Sequence, residues 1–351
     1  MPDNPILIEA TRGRLVESSH RGAVAVVDAE GRVLLALGDV ARPIYPRSAV
    51  KALQAIPLVE SGAADAFGLD QAELAVACAS HSGDAVHVAA VRSLLAKAGL
   101  DESQLACGAH WPISERATQE LLRAGKGPQA IHNNCSGQHA GMLATAVHRG
   151  LDPGGYEQPE HGVQEEIRRI LSESCGIALG RQDMGIDGCS VPSFALPLTA
   201  LATGFARLGS GRGFARTRGE AARRLMRACF AAPELVAGED RFDTIVMRRL
   251  GPAAFVKGGA EGVHCASLPA LEIGIAAKVD DGAKRGTEMV LAHLLSKLIA
   301  GADQSLAGTL DGEIRNWRGV RVGKLRPSPE FEAALNGLPH LNVAAAASAP
   351  R

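Results

Sequence analysis

Aromatic side chains are scarce in this sequence, with two tryptophans, two tyrosines and eight phenylalanines among 351 residues. A protein that stacks on nucleic-acid bases needs such rings on a cationic surface. Cationic excess is missing too: 37 lysines and arginines face 38 aspartates and glutamates, a formal charge of -1. That balance releases few counterions from a phosphate backbone, so a nucleic-acid role is not expected. No stretch reaches the roughly 18 uninterrupted apolar residues of a membrane span, and the opening Met-Pro-Asp-Asn-Pro has neither the basic nor the apolar region of a secretory signal. The cytoplasm is therefore the expected compartment. Cysteine is thinly spread and odd in number, seven residues at 78, 107, 135, 175, 189, 229 and 265. In a reducing compartment these should be buried apolar residues, ligands or nucleophiles, and not a disulfide framework. What remains, 46% hydrophobic and 21% charged residues, is an ordinary globular chain of one large domain or two.

Periodicity divides the chain in three. Residues 6–9, 15–17, 22–28 and 33–37 alternate as strands, the last two forming a hairpin across Ala29-Glu30-Gly31-Arg32. From Ser48 helical periods dominate for about 200 residues, with segments at 85–98, 117–124, 138–149, 162–175, 194–208 and 218–231. Strand character returns at 254–257 and 272–279, followed by a helical face over 289–299, a short β-like stretch at 320–322 and an Ala-rich tail. The expected fold is α/β: an antiparallel sheet built from both termini, residues 1–47 and 253–351, with an inserted all-helical domain over 48–252 and the active site between them. Gly209-Ser210-Gly211-Arg212-Gly213 follows a helix and lacks the Lys-Ser/Thr ending of a phosphate loop, so it reads as a helix–helix connection.

Chemistry-bearing residues lie in four places. Ser48-Ala49-Val50-Lys51 is an S-x-x-K at an expected helix start, where positions i and i+3 share a face and Lys51 can reach the Ser48 hydroxyl. A serine hydroxyl is a feeble nucleophile until a base takes its proton, and a lysine of depressed pKa can be that base. Helix-start N–H groups suit a developing oxyanion. Alone the motif is short and common, equally an N-cap serine and a surface lysine. Cys78-Ala79-Ser80-His81-Ser82-Gly83-Asp84 sets a second serine at the end of an apolar run, and Val256-Lys257-Gly258-Gly259 sets a lysine at the end of a strand beside glycines that admit a ligand to the backbone. This order is that of penicillin-recognising serine enzymes and serine-dependent glutaminases. Finally, His132-Asn133-Asn134-Cys135-Ser136-Gly137-Gln138-His139-Ala140-Gly141-Met142 and Gly185-Ile186-Asp187-Gly188-Cys189-Ser190-Val191-Pro192 place two cysteines in polar, glycine-flanked turns, where thiolates are zinc ligands or nucleophiles.

Together these motifs resemble the rhizobial-type L-asparaginases, the class 3 or asparaginase II family, over nearly the whole chain. The resemblance implies a serine-β-lactamase-like fold similar to that of serine-dependent glutaminases, hydrolysis of L-asparagine to aspartate and ammonia, and a homodimer. By motif, Ser48 and Lys51 match the family's first Ser-Lys pair, and Ser80 and Lys257 the second. Arg47, His81, Asn134 and Asp187 are the expected substrate-binding residues. The family also holds zinc through Cys135, Cys189 and the position that is Gln138 here, where it carries a lysine. A glutamine offers only a weakly basic amide oxygen, so water or His139 would complete the shell or the affinity would fall. Asp187 would then orient metal-bound water or the substrate ammonium from outside that shell.

The rival readings are another S-x-x-K serine hydrolase, of glutaminase, β-lactamase, penicillin-binding or esterase type, and a non-catalytic zinc-thiolate module. His20, His87, His148, His293 and His340 stand singly and read as structural or solvent-facing. Trp111 reads equally as pocket lining and as a loop anchor.

Overall fold

The computed structural model describes residues 4–338, so His340 and the tail beyond it lie outside the described residues. Two compact units emerge. One comprises the chain up to Ala49, Leu196–Arg212 and the chain from Arg249 onward; the other comprises Val50–Ala195 and Gly213–Arg248.

The first unit is built on an eight-stranded sheet in which every pairing is antiparallel. Its order is Glu313–Arg315, Arg321–Pro327, Ile6–Arg12, Leu15–Asp28, Ile273–Val279, Val263–Leu268 and Phe255–Gly258, with Val33–Leu37 also paired to Leu15–Asp28. The mixed α/β class is thus as expected, with strands from both ends of the chain. The two stretches read separately at 15–17 and 22–28 are one 14-residue strand. Its second half is paired on opposite edges by Val33–Leu37 and Ile273–Val279, which share partners across Val24–Val27.

Both faces of this sheet are covered, and glycine shows by what. A Cβ on Gly274 would stand 1.8 Å from the Ala202 carbonyl, so the helix Leu198–Ser210 lies against that face. A Cβ on Gly286 would stand 3.3 Å from a Val279 methyl, so the helix Lys284–Leu298 lies on the other face, since 274 and 279 differ by an odd number. Periodicity at 194–208 groups this helix with the helical insertion, whereas Leu196–Arg212 belongs to the sheet unit. A 3.6-residue period predicts a helix with an apolar stripe but not which core receives it. Gly211, left-handed at φ 73°, ends that helix, so the glycine-rich run is a helix C-cap.

The second unit is helical. The helix Gln71–Ala77 opens with a reciprocal cap, Glu73 N–H donating to Asp70 at 3.0 Å and Asp70 N–H to Glu73 at 2.8 Å. The helix Ser136–His148 is buried along most of its length, and Gly137 and Gly141 bring it onto Gln71–Ala77: Cβ atoms there would lie 2.1 Å from the Val76 carbonyl and 3.2 Å from the Ala77 Cβ. The C-S-G-Q-H-A-G-M run is therefore a packing device as well as a source of functional groups. Among the described residues no helix is long and apolar enough to cross a membrane.

Candidate active site

In the sheet unit, the chain turns at Pro46-Arg47-Ser48-Ala49. Ala49 N–H donates to Pro46 O at 3.1 Å, and Arg47 takes a left-handed φ of 52°. A non-glycine residue held there is strained by about 1–3 kcal/mol, a cost that clusters at functional sites. Arg47–Val50 is a single 3-10 turn, so Ser48 is half-buried on a tight turn rather than capping a regular helix; the α-helix proper starts at Lys51. Gly259 explains the glycines after Lys257: a Cβ there would meet Pro46 O at 2.5 Å, so only glycine lets the strand end lie against the Ser48 turn. Lys257 is 1% exposed, and its ammonium donates to Gly258 O at 2.9 Å.

In the helical unit the packing of Gly137 on Val76 carries the Cys135 turn toward the chain after Ala77. Lys51, 2% exposed, joins them by donating to Ala79 O at 2.8 Å and to Cys135 Sγ at 3.0 Å. Ser80 is buried, its N–H held by Val236 O at 2.9 Å, and His81 N–H donates to Asn134 O at 3.1 Å. Hydrogen bonding from Cys189 and the Lys51 ammonium outweigh burial and hold the Cys135 thiol below its ordinary pKa; the proton the pair shares stays on Cys189, whose pKa is raised.

His81 was expected to bind substrate, and its position gives it a different part. It is fully buried; its Nδ1 accepts from Gly83 N–H at 3.1 Å, which leaves Nε2 to donate to Ser136 Oγ at 2.9 Å, and Ser136 in turn donates to Ile131 O. Both ring nitrogens are spent inside the protein. Burial, then neighbouring His87, push its pKa well down, so the ring is neutral. His87, set aside by sequence as a lone helix residue, stacks on it at 5.0 Å, accepts from Asp84 N–H and donates to Glu234 O. His110 is a further residue the sequence did not single out; its Nε2 accepts the Asn134 N–H at 2.9 Å. The signal for His87 was legible in Asp84-x-x-His87, a helix start whose fourth residue accepts the N-cap amide. The pairing of His110 with Asn134 has no counterpart in spacing. Trp111 itself is exposed.

Asn134 Oδ1 lies 3.1 Å from Cys135 Sγ. Asp187 lies in a hairpin turn between Met184–Ile186 and Pro192–Phe194, closed by Ser190 N–H to Asp187 O, with Ser190 at φ 79°. Gln138 is buried, and its Nε2 donates to Gln54 Oε1 at 2.7 Å while its own Oε1 has no partner. His139 Nδ1 is 2.5 Å from the Tyr156 hydroxyl, its Nε2 is unpartnered, and burial depresses its pKa to about 3. For zinc, this donor set is incomplete. The Cys135 and Cys189 thiols interact and Lys51 occupies one side of Cys135, but Gln138 leaves only a weakly basic amide oxygen free, a poor zinc donor beside thiols, and among the described residues no three His, Cys, Asp or Glu side chains converge on one point. The residues as placed do not fit a zinc ion, and no chemistry is assigned to one.

The family profile described as L-asparaginase II matches residues 8–327. No curated protein matches the sequence. Among solved structures the chain is similar to Mglu in its native form, with 14% identity and a TM-score of 0.43 over 83% of this chain and 68% of that one. Mglu in 4.3 M NaCl gives 17% and 0.40 over 81% and 61%. A beta-lactamase from Mycobacterium bovis gives 16% and 0.38 over 82% and 94%.

Proposed function

Because the chain belongs to the L-asparaginase II family, and so is an L-asparaginase-type amidohydrolase, we propose that it hydrolyses L-asparagine to L-aspartate and ammonia through an acyl-enzyme on Ser48. One observation carries the reading. Lysine is almost never fully buried, yet Lys51 and Lys257 are, and among the described residues no other lysine is. One follows Ser48 by three residues; the other stands on the strand whose glycines receive the Ser48 turn.

In the proposed reaction Ser48 Oγ attacks the side-chain amide carbon and Lys51, in its neutral amine form, takes its proton. Backbone N–H groups at the Ser48 turn hold the oxyanion, and the strained Arg47 sets their direction in advance. Lys257 and Ser80 deliver the proton that lets ammonia leave, and water then hydrolyses the aspartyl ester. Arg47 and Asp187 carry the charges that complement the substrate's carboxylate and ammonium, with Asn134 as a polar neighbour. His81 acts through position alone: it fixes the Ser80 segment to the Cys135 turn.

Ammonia release from asparagine by the purified protein tests this, run beside glutamine and a penicillin as competing substrates. Turnover of asparagine that Ser48→Ala abolishes supports the proposal. Hydrolysis of the penicillin alone would assign the S-x-x-K pair to a β-lactamase-type reaction. One methylene is worth roughly 10- to 200-fold, so a glutamine activity within that range leaves the assignment standing.

A further inference from the structure

At one end of the sheet two hairpin tips stand side by side. The strand Ile6–Arg12 turns through Gly13 and Arg14 into Leu15, and Gly13 N–H donates to Val322 O at 3.0 Å, which fixes that tip beside the start of Arg321–Pro327. The second tip, Asn316 to Val320, leads directly into Arg321 and is closed by Asn316 N–H to Val320 O at 3.0 Å. Large apolar side chains project from both: Trp317 is fully exposed, Leu15 is 76% exposed, and Val16 and Val320 about half. Leu15 and Val16 are consecutive in a strand and so point to opposite faces, which means that neither face is covered here.

Charge on this end is one-sided. Residues 9–17 and 313–326 carry seven arginines and lysines against three glutamates, on a chain whose total is -1. Glu9, Glu17 and Glu313 are taken up by Arg326, Arg12 and Arg315. Arg14, Arg318 and Lys324 have no ion pair among the described residues. A groove of about 470 Å³ lies between the first tip and the strand Arg321–Pro327, lined by Arg14, Arg321, Lys324, Arg326 and the backbone of Gly13 and Gly323. Gly323 keeps that floor low, since a Cβ there would meet Thr11 O at 1.8 Å.

Projecting apolar tips flanked by unneutralised cations have the composition of an interfacial anchor, in which tryptophan and aliphatic side chains enter the headgroup layer and arginine and lysine pair with its phosphates. The excess of positive charge opposes the association of this patch with its own copy. A single tryptophan gives no ladder on which successive bases of a nucleic acid could stack. We propose that these hairpin tips dock the protein reversibly on an anionic phospholipid surface, with phosphates seated in the Arg14–Lys324 groove and Trp317 and Leu15 in the interface.

The test is co-sedimentation of the full chain with vesicles of phosphatidylcholine alone or mixed with phosphatidylglycerol, together with tryptophan emission. Binding is expected to the mixed vesicles only, to weaken with salt, and to shift the emission to the blue. A Trp317→Phe variant, which leaves only Trp111, should abolish the shift. Arg14→Ser and Lys324→Ser should each weaken binding about fivefold, since each cation near such a surface contributes roughly one kcal/mol, and asparaginase turnover measured in solution should stay unchanged. Absence of binding at low salt, or binding indifferent to both charge changes, overturns the proposal. So does a dimer in vesicle-free solution whose Trp317 emission is already blue-shifted and which Trp317→Ser dissociates, for then the partner is a second copy.

Discussion

Ser48 and Lys51 differ from other serine and lysine residues of the chain in where their polar atoms are. Lys51 has lost water entirely and is held by one carbonyl and one sulfur, and Ser48 stands on a turn prepared by a strained neighbour. Ser48→Ala should therefore leave the fold intact and lower kcat by roughly a thousandfold or more, because the covalent route is lost while binding groups remain. Lys51→Met should cost about as much, and the double variant little more than either, as residues acting as a unit are not additive; steady-state ammonia release checks all three, and full additivity would remove Lys51 from the base's role. Gln138 is the residue at which this chain departs from the pattern it resembles. With only a weakly basic amide oxygen where the family carries a lysine amine, zinc should be bound at well under one ion per chain, and Gln138→Lys should raise the stoichiometry found by elemental analysis of protein purified with zinc present. A full, chelator-resistant complement in the unaltered protein would show that the free oxygen of Gln138, His139 or water completes the shell.

Elements were legible from the sequence where a period was long, and illegible where a neighbour decided. The helices near 85–98, 138–149 and 162–175 and the hairpin of 22–28 with 33–37 follow from local patterning and are present. Val263–Leu268 passed unread because a fully buried strand has no alternation, and Glu313–Arg315 because three residues carry no period. The motif residues were readable by type, but not the partner of each: no spacing links Lys51 to Ala79, Gln138 to Gln54, or His81 to Ser136. The glycines of the Cys135 motif make that point measurable. Gly137→Ala drives a methyl into the Val76 backbone carbonyl, which cannot swing aside, whereas Gly141→Ala meets a methyl group at 3.2 Å. The first should cost about 3 kcal/mol or more and abolish activity by moving Cys135 away from Lys51; the second should cost about 1 kcal/mol. Denaturant midpoints and activity of the two variants decide it, and equal effects would mean the helices separate freely.

At the scale of the molecule, the sheet forms only when distant chain segments pair, Val26 with Ile275, 249 residues apart, and Ile8 with Pro327, 319 residues apart, among them, and one of the helices that complete its core carries a histidine. His293, on the helix Lys284–Leu298, has an unpartnered buried Nε2, and burial alone holds its pKa down to about 4; His139 in the other unit lies at about 3. Unfolded, both titrate near 6.5. Below that value the unfolded chain takes up protons that the folded chain refuses, so stability is full above about pH 6.5 and declines toward pH 4 by up to roughly 1.4 kcal/mol per pH unit for each ring. Melting temperature should accordingly fall steadily from pH 7 to pH 4.5. His293→Leu removes one of these rings and its orphaned nitrogen together, which at neutral pH should be neutral or stabilising by about 1 kcal/mol. Its advantage over the unaltered protein should widen on acidification, reaching a few kcal/mol near pH 4.5 while His139 keeps part of the slope in place. Parallel stability curves for the two proteins would show that His293 takes up its proton in the folded state, and that acid acts elsewhere.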